Sequence, residues 1–71
     1  MMVYFNSGYC CIPYENSVMK VVPDDDGGYC IKAWCQGETF ILRNFVMMSS
    51  AKTVFDNMAH GYSKGWKSID I

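Results

Sequence analysis

The clearest pattern of apolar and polar positions lies in residues 50–64, near the C-terminal end of the chain. Apolar residues recur there at alternating intervals of three and one, which places them on one side of an α-helix. These residues are Ala51, Val54, Phe55, Met58, Ala59 and Tyr62. The pattern predicts an amphipathic helix, which we expect Ser49 or Ser50 to cap and Gly65 to end. Its apolar stripe needs a matching apolar surface from the rest of the chain.

Residues 1–45 alternate short runs of β-branched and aromatic residues with turn-forming residues. Such alternation is typical of consecutive strands joined by tight turns. The predicted strands are residues 3–6, 9–12, 17–22, 29–35 and 38–44, and residues 66–71 are a candidate closing strand. The chain is therefore predicted to be a single α+β domain over residues 1–71. We expect a small antiparallel β-meander of four to five strands with one C-terminal amphipathic helix packed on one face.

The Gln36-Gly37 pair assigns side chains to the two faces of this sheet, because a two-residue turn fixes which residues lie opposite each other. It sets Cys35 opposite Glu38, Ala33 opposite Phe40 and Ile31 opposite Leu42. The inner face, which takes the helix stripe, carries Tyr29, Ile31, Ala33, Phe40 and Leu42. The outer face carries Cys30, Lys32, Trp34, Thr39, Ile41 and Arg43, joined by Val18, Lys20 and Val22 from the preceding strand. We expect a core that contains Ile31, Phe40, Leu42, Phe55 and Met58.

The outer face is the candidate partner-binding surface, with Trp34 and Ile41 at its centre and Lys20, Lys32 and Arg43 around them. One helix covers only one face of a sheet, and Trp and Arg are frequent hot spots of protein interfaces. Two other arrangements stay open. Residues 66–71, or curling of the sheet into a small barrel, could cover Trp34, and two copies could pair these faces as a homodimer.

A second candidate surface is the acidic loop formed by Asp24, Asp25 and Asp26, which precedes two glycines. Asp and Gly are common in solvated turns, and an acidic knob can also mimic phosphate to a basic partner. Calcium binding is not expected, because an EF-hand loop needs a glutamate at its twelfth position, where this chain has Cys35.

The chemistry-bearing residues form no recognised catalytic or metal motif. Cys10 and Cys11 are adjacent and Cys30 and Cys35 are five apart, which suits neither the usual zinc spacing nor a common face of one strand. His60, the only histidine, falls on the polar side of the predicted helix. We therefore expect four free thiols, no metal, no cofactor and no enzymatic activity.

Composition limits the class of partner. The formal net charge is −1, which gives no general attraction to nucleic acid or to an anionic membrane. No apolar run approaches the roughly 20 residues of a membrane-spanning helix. The first residues lack the basic start and long apolar core of a secretory signal. We expect a cytoplasmic protein.

The element order is several strands, one late amphipathic helix and a short tail, and the last two run from SAKTVFDNM to GWKSIDI. In size and element order the chain resembles many very small phage-encoded proteins, including inhibitors of bacterial defence systems of the anti-CRISPR group. This resemblance implies a non-enzymatic protein that binds a host factor through a surface.

The sequence and the resemblance together favour a protein-binding inhibitor or adaptor. One alternative is a nucleic-acid-binding sheet, in which Lys20, Lys32 and Arg43 contact phosphates and Trp34 stacks on a base. Another alternative is a small thiol- or metal-binding domain that uses the cysteines.

Overall fold

The structure is a computed structural model that describes all 71 residues, and it contains six strands and one helix. In chain order these are β1 (Met2–Phe5), β2 (Cys10–Pro13), β3 (Ser17–Pro23), β4 (Tyr29–Cys35), β5 (Glu38–Phe45), α1 (Met48–Ser63) and β6 (Ser68–Asp70). The predicted α+β class, with the helix packed on the meander, is confirmed. The strands divide between two sheets, an antiparallel meander β3-β4-β5 and a second sheet in the order β2-β1-β6.

The β1–β2 hairpin has the register that its turn sequence predicts, with Val3 opposite Ile12. Residues 6–9 make the turn, in which Asn6, Ser7 and Gly8 all adopt left-handed backbone angles, with φ of 54°, 57° and 82°. The Gly8 N–H donates to the Phe5 carbonyl at 3.2 Å, and positive φ at the two residues between them gives a turn whose twist matches that of the flanking strands. The register brings Val3, Phe5 and Ile12 into the core.

Residues 66–71 supply the closing strand, and they extend the second sheet instead of covering Trp34. β6 runs parallel to β1. The Met2 N–H donates to the Lys67 carbonyl at 2.9 Å, and the Ile71 N–H donates to the Tyr4 carbonyl at 2.9 Å. These bonds hold the tail at the edge of the second sheet, so the outer face of the meander stays open.

The core lies where the two sheets and the helix meet. Its seven buried residues are Val3, Phe5, Ile12, Ile31, Ala33, Leu42 and Met58. Phe40 and Phe55, which we expected in the core, are half-buried at its border. Phe40 still contacts the core, because the Phe5 ring of the second sheet packs edge to face against it with 6.0 Å between centroids.

The helix begins at Met48, two residues before the predicted start, and neither serine caps it. Met47 occupies the N-cap position with an extended backbone and no side-chain hydrogen bond. Ser49 and Ser50 lie inside the first turn, and the Ser49 carbonyl accepts a hydrogen bond from the Thr53 hydroxyl at 2.9 Å. The predicted serine cap is therefore wrong, and the first N–H groups of α1 have no side-chain acceptor.

The C-terminal end of the helix follows the prediction, with Gly65 at a φ of 78°. The Gly65 N–H donates to the Tyr62 carbonyl at 3.1 Å, and the Trp66 N–H donates to the Gly61 carbonyl at 3.0 Å. This pair of bonds is the Schellman motif, which is often accompanied by an apolar contact. Here the Trp66 indole lies on Gly61, where an added Cβ would come within 2.3 Å of the ring.

Two ion pairs are present, and both lie away from the outer face of the meander. The N-terminal ammonium of Met1 donates a hydrogen bond to a carboxylate oxygen of Glu15, and this bond lowers the pKa of Glu15. Lys52 and Asp56 pair at 3.1 Å along the exposed side of the helix. The lysines of the outer face are therefore left without a carboxylate.

Candidate functional site

The outer face of the β3-β4-β5 sheet points away from the core, and six of its side chains form two rows across the strands. One row is Val18, Trp34 and Thr39, and the next is Lys20, Lys32 and Ile41. Residues directly opposite each other on neighbouring strands have side chains within contact range. We call these six residues the outer patch.

Trp34 lies beside two cations in the outer patch. The Lys20 Nζ is 5.6 Å from the centroid of the Trp34 ring, and the Lys32 Nζ is 6.0 Å from it. Both distances fall in the range of cation–π attraction, which offsets the repulsion of two lysines placed directly opposite each other. Neither lysine belongs to an ion pair. The patch therefore presents two positive charges that no other side chain neutralises.

Apolar surface adjoins the two lysines. Val18 is 57% exposed, Ile41 is 53% exposed and Trp34 is 36% exposed. Contiguous apolar surface in water often marks an interaction site, whereas single exposed apolar residues are ordinary. None of the six patch residues is acidic. The surface that complements the patch is therefore apolar and negatively charged.

Arg43, predicted on the outer face, lies elsewhere. A regular two-residue hairpin sets Arg43 opposite Cys30, but a β-bulge next to Ile31 shifts the register and sets Arg43 opposite Ile31. Because opposite residues share a face, the shift places Arg43 on the same face of β5 as Phe45. Its guanidinium lies 5.1 Å from the centroid of the Phe45 ring. The predicted position of Arg43, and the predicted pairing of Ile31 with Leu42, are wrong.

The spacing of apolar residues in β5 contains the signal for this bulge. Phe40 and Leu42 are two residues apart, but the next aromatic, Phe45, follows after three. Strict alternation would point Asn44 inward and Phe45 outward. The bulge instead sets Phe45 opposite Tyr29, where it packs against the core.

The acidic loop Asp24 to Asp26 is a closed turn between β3 and β4. The Asp24 N–H donates to the Gly28 carbonyl at 2.8 Å, and the Gly27 N–H donates to the Asp24 carbonyl at 3.1 Å. The Asp24 carboxylate accepts a hydrogen bond from the Asp25 N–H at 2.7 Å. Asp25 and Asp26 are exposed, and none of the three carboxylates is in an ion pair. The loop lies at the opposite end of β4 from Trp34.

A pocket beside the acidic loop was not expected from the sequence. Its volume is about 360 Å³, and it is lined by Asp24, Asp26, Gly27, Gly28, Asn44, Phe45 and Val46. Val46 and Met47 connect β5 to α1, and Met48 is the first residue of the helix. These three residues are 89%, 60% and 54% exposed. The apolar run FVMM could have indicated this exposed surface in the sequence. It follows the predicted strand 38–44 and precedes the apolar stripe of the predicted helix.

The thiols are dispersed over two strands, and all four are free. Cys11 is exposed, Cys10 is half-buried, and Cys30 and Cys35 are buried. Cys30 was expected on the open outer face, but Val22 and Asn44 flank it on the neighbouring strands and it is 3% exposed. No group of three or more His, Cys, Asp or Glu residues is placed to hold a metal ion.

His60 is exposed on α1, on the polar side where the helical pattern puts it. Its ring meets the Trp66 indole edge to face, with 5.9 Å between centroids. The Ser63 hydroxyl donates to the His60 backbone carbonyl and not to the imidazole. His60 therefore helps to pack the C-terminal end of the helix.

Comparison with known proteins gives no relative from which a function could be transferred. No family model, no curated protein and no solved structure matches this chain. The structure contains no helix that is both long enough and apolar enough to span a membrane. The surface geometry described above is therefore the basis for any functional proposal.

Proposed function

We propose that this protein is a non-enzymatic binding module of the cytoplasm, whose outer patch docks on an apolar, acidic surface of a partner protein and occludes it. The observation that supports this most directly is the partly exposed Trp34 ring beside the free ammonium groups of Lys20 and Lys32. Aromatic anchors beside positive charges are typical of interface hot spots. The resemblance to small phage-encoded inhibitors favours an inhibitor over a neutral adaptor.

A protein partner fits the outer patch better than a nucleic acid does. Val18 and Ile41 add exposed aliphatic surface, for which a phosphate backbone offers no counterpart. The bulge at β5 takes Arg43 away, so two cations remain to contact phosphates. Binding to single strands weakens with salt in proportion to the number of phosphates contacted, and two contacts contribute little affinity.

Face-to-face pairing of two copies is disfavoured by charge. A two-fold axis through the outer patch would bring two lysines from each copy together, with no acidic patch residue between them. Like charges that meet across an interface typically reduce the binding free energy by several kcal/mol. The partner is therefore a different protein, with carboxylates where a second copy would present lysines.

Capture from the organism that encodes the protein tests this proposal. Tagged wild type is compared with the double variant Lys20→Glu, Lys32→Glu, and captured proteins are quantified by mass spectrometry. The matched control reverses two exposed lysines elsewhere, Lys64 and Lys67. We expect one partner to be retained by wild type and by the control and lost from the patch variant.

Two outcomes would contradict the proposal. One is equal capture by all three proteins, which would place the binding surface outside the outer patch. The other is recovery of nucleic acid instead of protein, with a gel shift on single-stranded DNA that disappears steeply as salt is raised.

A further inference from the structure

We infer a second docking surface, formed by the exposed residues Val46, Met47 and Met48 and the adjoining pocket, which binds a segment of a partner protein carrying an arginine beside an apolar residue. We call these three residues the junction segment. The inference goes beyond the proposed function, because the outer patch and this surface differ in position and in charge.

The junction segment is apolar surface that the fold leaves uncovered. Its three residues are consecutive and are 89%, 60% and 54% exposed. None of them belongs to the core or packs at its border. Contiguous exposed apolar residues often mark an interaction site, and flexible Met side chains adapt to the shape of a partner.

The pocket next to this segment is held by backbone packing. Gly28 approaches β5 so closely that an added Cβ would lie 2.4 Å from the Phe45 carbonyl oxygen. The Asp24 N–H holds the Gly28 carbonyl at 2.8 Å from the other side of the turn. Gly28 is thus fixed between the acidic loop and the end of β5. Val46 belongs both to the pocket wall and to the junction segment, so the two form one continuous surface.

The charge of this surface selects the occupant. Asp24 and Asp26 line the pocket, no Lys or Arg lines it, and neither carboxylate is in an ion pair. Arg43 contacts the Phe45 ring but pairs with no carboxylate. A cationic side chain next to an apolar one complements carboxylates next to Val46. The pocket volume of about 360 Å³ is at the lower end for ligand sites, which suits one side chain rather than a cofactor.

Arginine fits this surface better than lysine. Its planar guanidinium can bind a carboxylate through two parallel hydrogen bonds, whereas an ammonium acts as a point charge. A guanidinium is also less strongly hydrated, so it tolerates apolar surface such as Val46. The partner segment that we expect therefore has an arginine directly flanked by aliphatic residues.

Fluorescence anisotropy with a synthetic peptide tests the inference. The probe is a short labelled peptide with one arginine between two leucines. The control peptides carry citrulline in place of arginine, or serines in place of leucines. We expect saturable binding of the arginine peptide to the wild-type protein, weakened at least about tenfold by either change, since each removes one of the two complementary features.

The protein variants locate the site. Asp26→Asn and Val46→Ser change exposed side chains and are expected to fold normally and to weaken binding of the arginine peptide at least about tenfold. Asp70→Asn removes an exposed carboxylate from β6, and Tyr9→Ser removes an exposed apolar side chain from the β1–β2 turn. Both are expected to bind as wild type does.

Trp34→Ala separates this inference from the proposed function. It removes the anchor of the outer patch, and we expect it to leave peptide affinity unchanged. The inference is overturned if no saturable binding occurs, if the citrulline peptide binds equally well, or if Asp70→Asn weakens binding as much as Asp26→Asn does. It is also overturned if Trp34→Ala abolishes binding, because the peptide would then occupy the outer patch.

Discussion

The two faces of the β3-β4-β5 sheet are built from alternate residues of the same strands, yet they have opposite environments. On the inner face Ile31 and Ala33 are fully buried. On the outer face Val18 and Ile41 are more than half exposed. The inner face is covered by the helix and by the second sheet, whereas neither of them covers the outer patch. We conclude that inner residues determine stability, and that outer residues are free to determine binding.

The same alternation explains why the lysines lie where they do. Lys20 and Lys32 are placed directly opposite each other on β3 and β4, next to Trp34. Inverting the register would bury both ammonium groups without carboxylates, which is far more costly than leaving aliphatic side chains in water. The lysines therefore help to specify which face is outward, in addition to charging it.

The largest effect is expected on the inner side. Met58→Ala removes a fully buried side chain from the point where helix and sheets meet. It should lower the free energy of unfolding by about 2–5 kcal/mol, a large share of the roughly 5–15 kcal/mol available to a small domain. Urea unfolding measures this change in the free energy of unfolding. The control is Asn57→Ala on the exposed side of the same helix, expected within about 0.5 kcal/mol of wild type. Equal losses in both variants would show that the helix face is assigned wrongly.

A smaller effect is expected where the helix ends. Gly→Ala inside a helix normally stabilises by about 1 kcal/mol through helix propensity. Gly61→Ala should instead destabilise by about 1–3 kcal/mol, because the new Cβ would lie 2.3 Å from the Trp66 ring, which must move.

A double variant identifies the cause of that effect. In a Trp66→Ala background the obstruction is gone, so Gly61→Ala should become neutral or stabilising. Thermal unfolding of the four proteins of this cycle gives the coupling between the two residues. If Gly61→Ala destabilises equally in both backgrounds, the indole contact does not set the requirement for glycine.

The inner face was largely predictable from the sequence, since it depends on alternation within one hairpin. The pairings of Cys35 with Glu38 and of Ala33 with Phe40 follow from the Gln36-Gly37 turn and are confirmed. Beyond Lys32 the prediction failed, because the bulge exchanges one regular backbone pairing for contact of Phe45 with the core. That exchange is decided by three-dimensional packing, which local alternation does not describe.

The second sheet was harder to predict than the meander. β6 has three residues, pairs in parallel with a strand at the other end of the chain, and alternates polar with apolar only once. A strand so short has almost no periodic signal of its own. Trp34 is left uncovered because β6 pairs with β1. The outer patch could therefore be predicted from the sequence, but not whether residues 66–71 cover it.

The smallest effect is expected at Arg43, where the structure departs from the sequence-based site. Its guanidinium lies on Phe45 and not beside Trp34. Arg43→Ala should therefore change the affinity for the captured partner by less than about 0.5 kcal/mol, as surface changes away from a contact usually do. Lys32→Ala should weaken the same affinity measurably. Isothermal titration calorimetry compares the partner affinities of the two variants. A larger loss of affinity from Arg43→Ala than from Lys32→Ala would show that Arg43 belongs to the proposed binding surface.

The most direct test of the contrast between the two faces is to measure stability and affinity on the same preparation of Trp34→Ala. Tyr9→Ala is the control, because Tyr9 is an exposed aromatic in the β1–β2 turn, away from the outer patch. Both variants should remain folded and unfold cooperatively, and Trp34→Ala alone should weaken partner binding by about 2 kcal/mol or more, the loss typical of a hot spot. If Trp34→Ala unfolds the protein, or binds the partner as tightly as Tyr9→Ala does, the outer patch is not a docking surface.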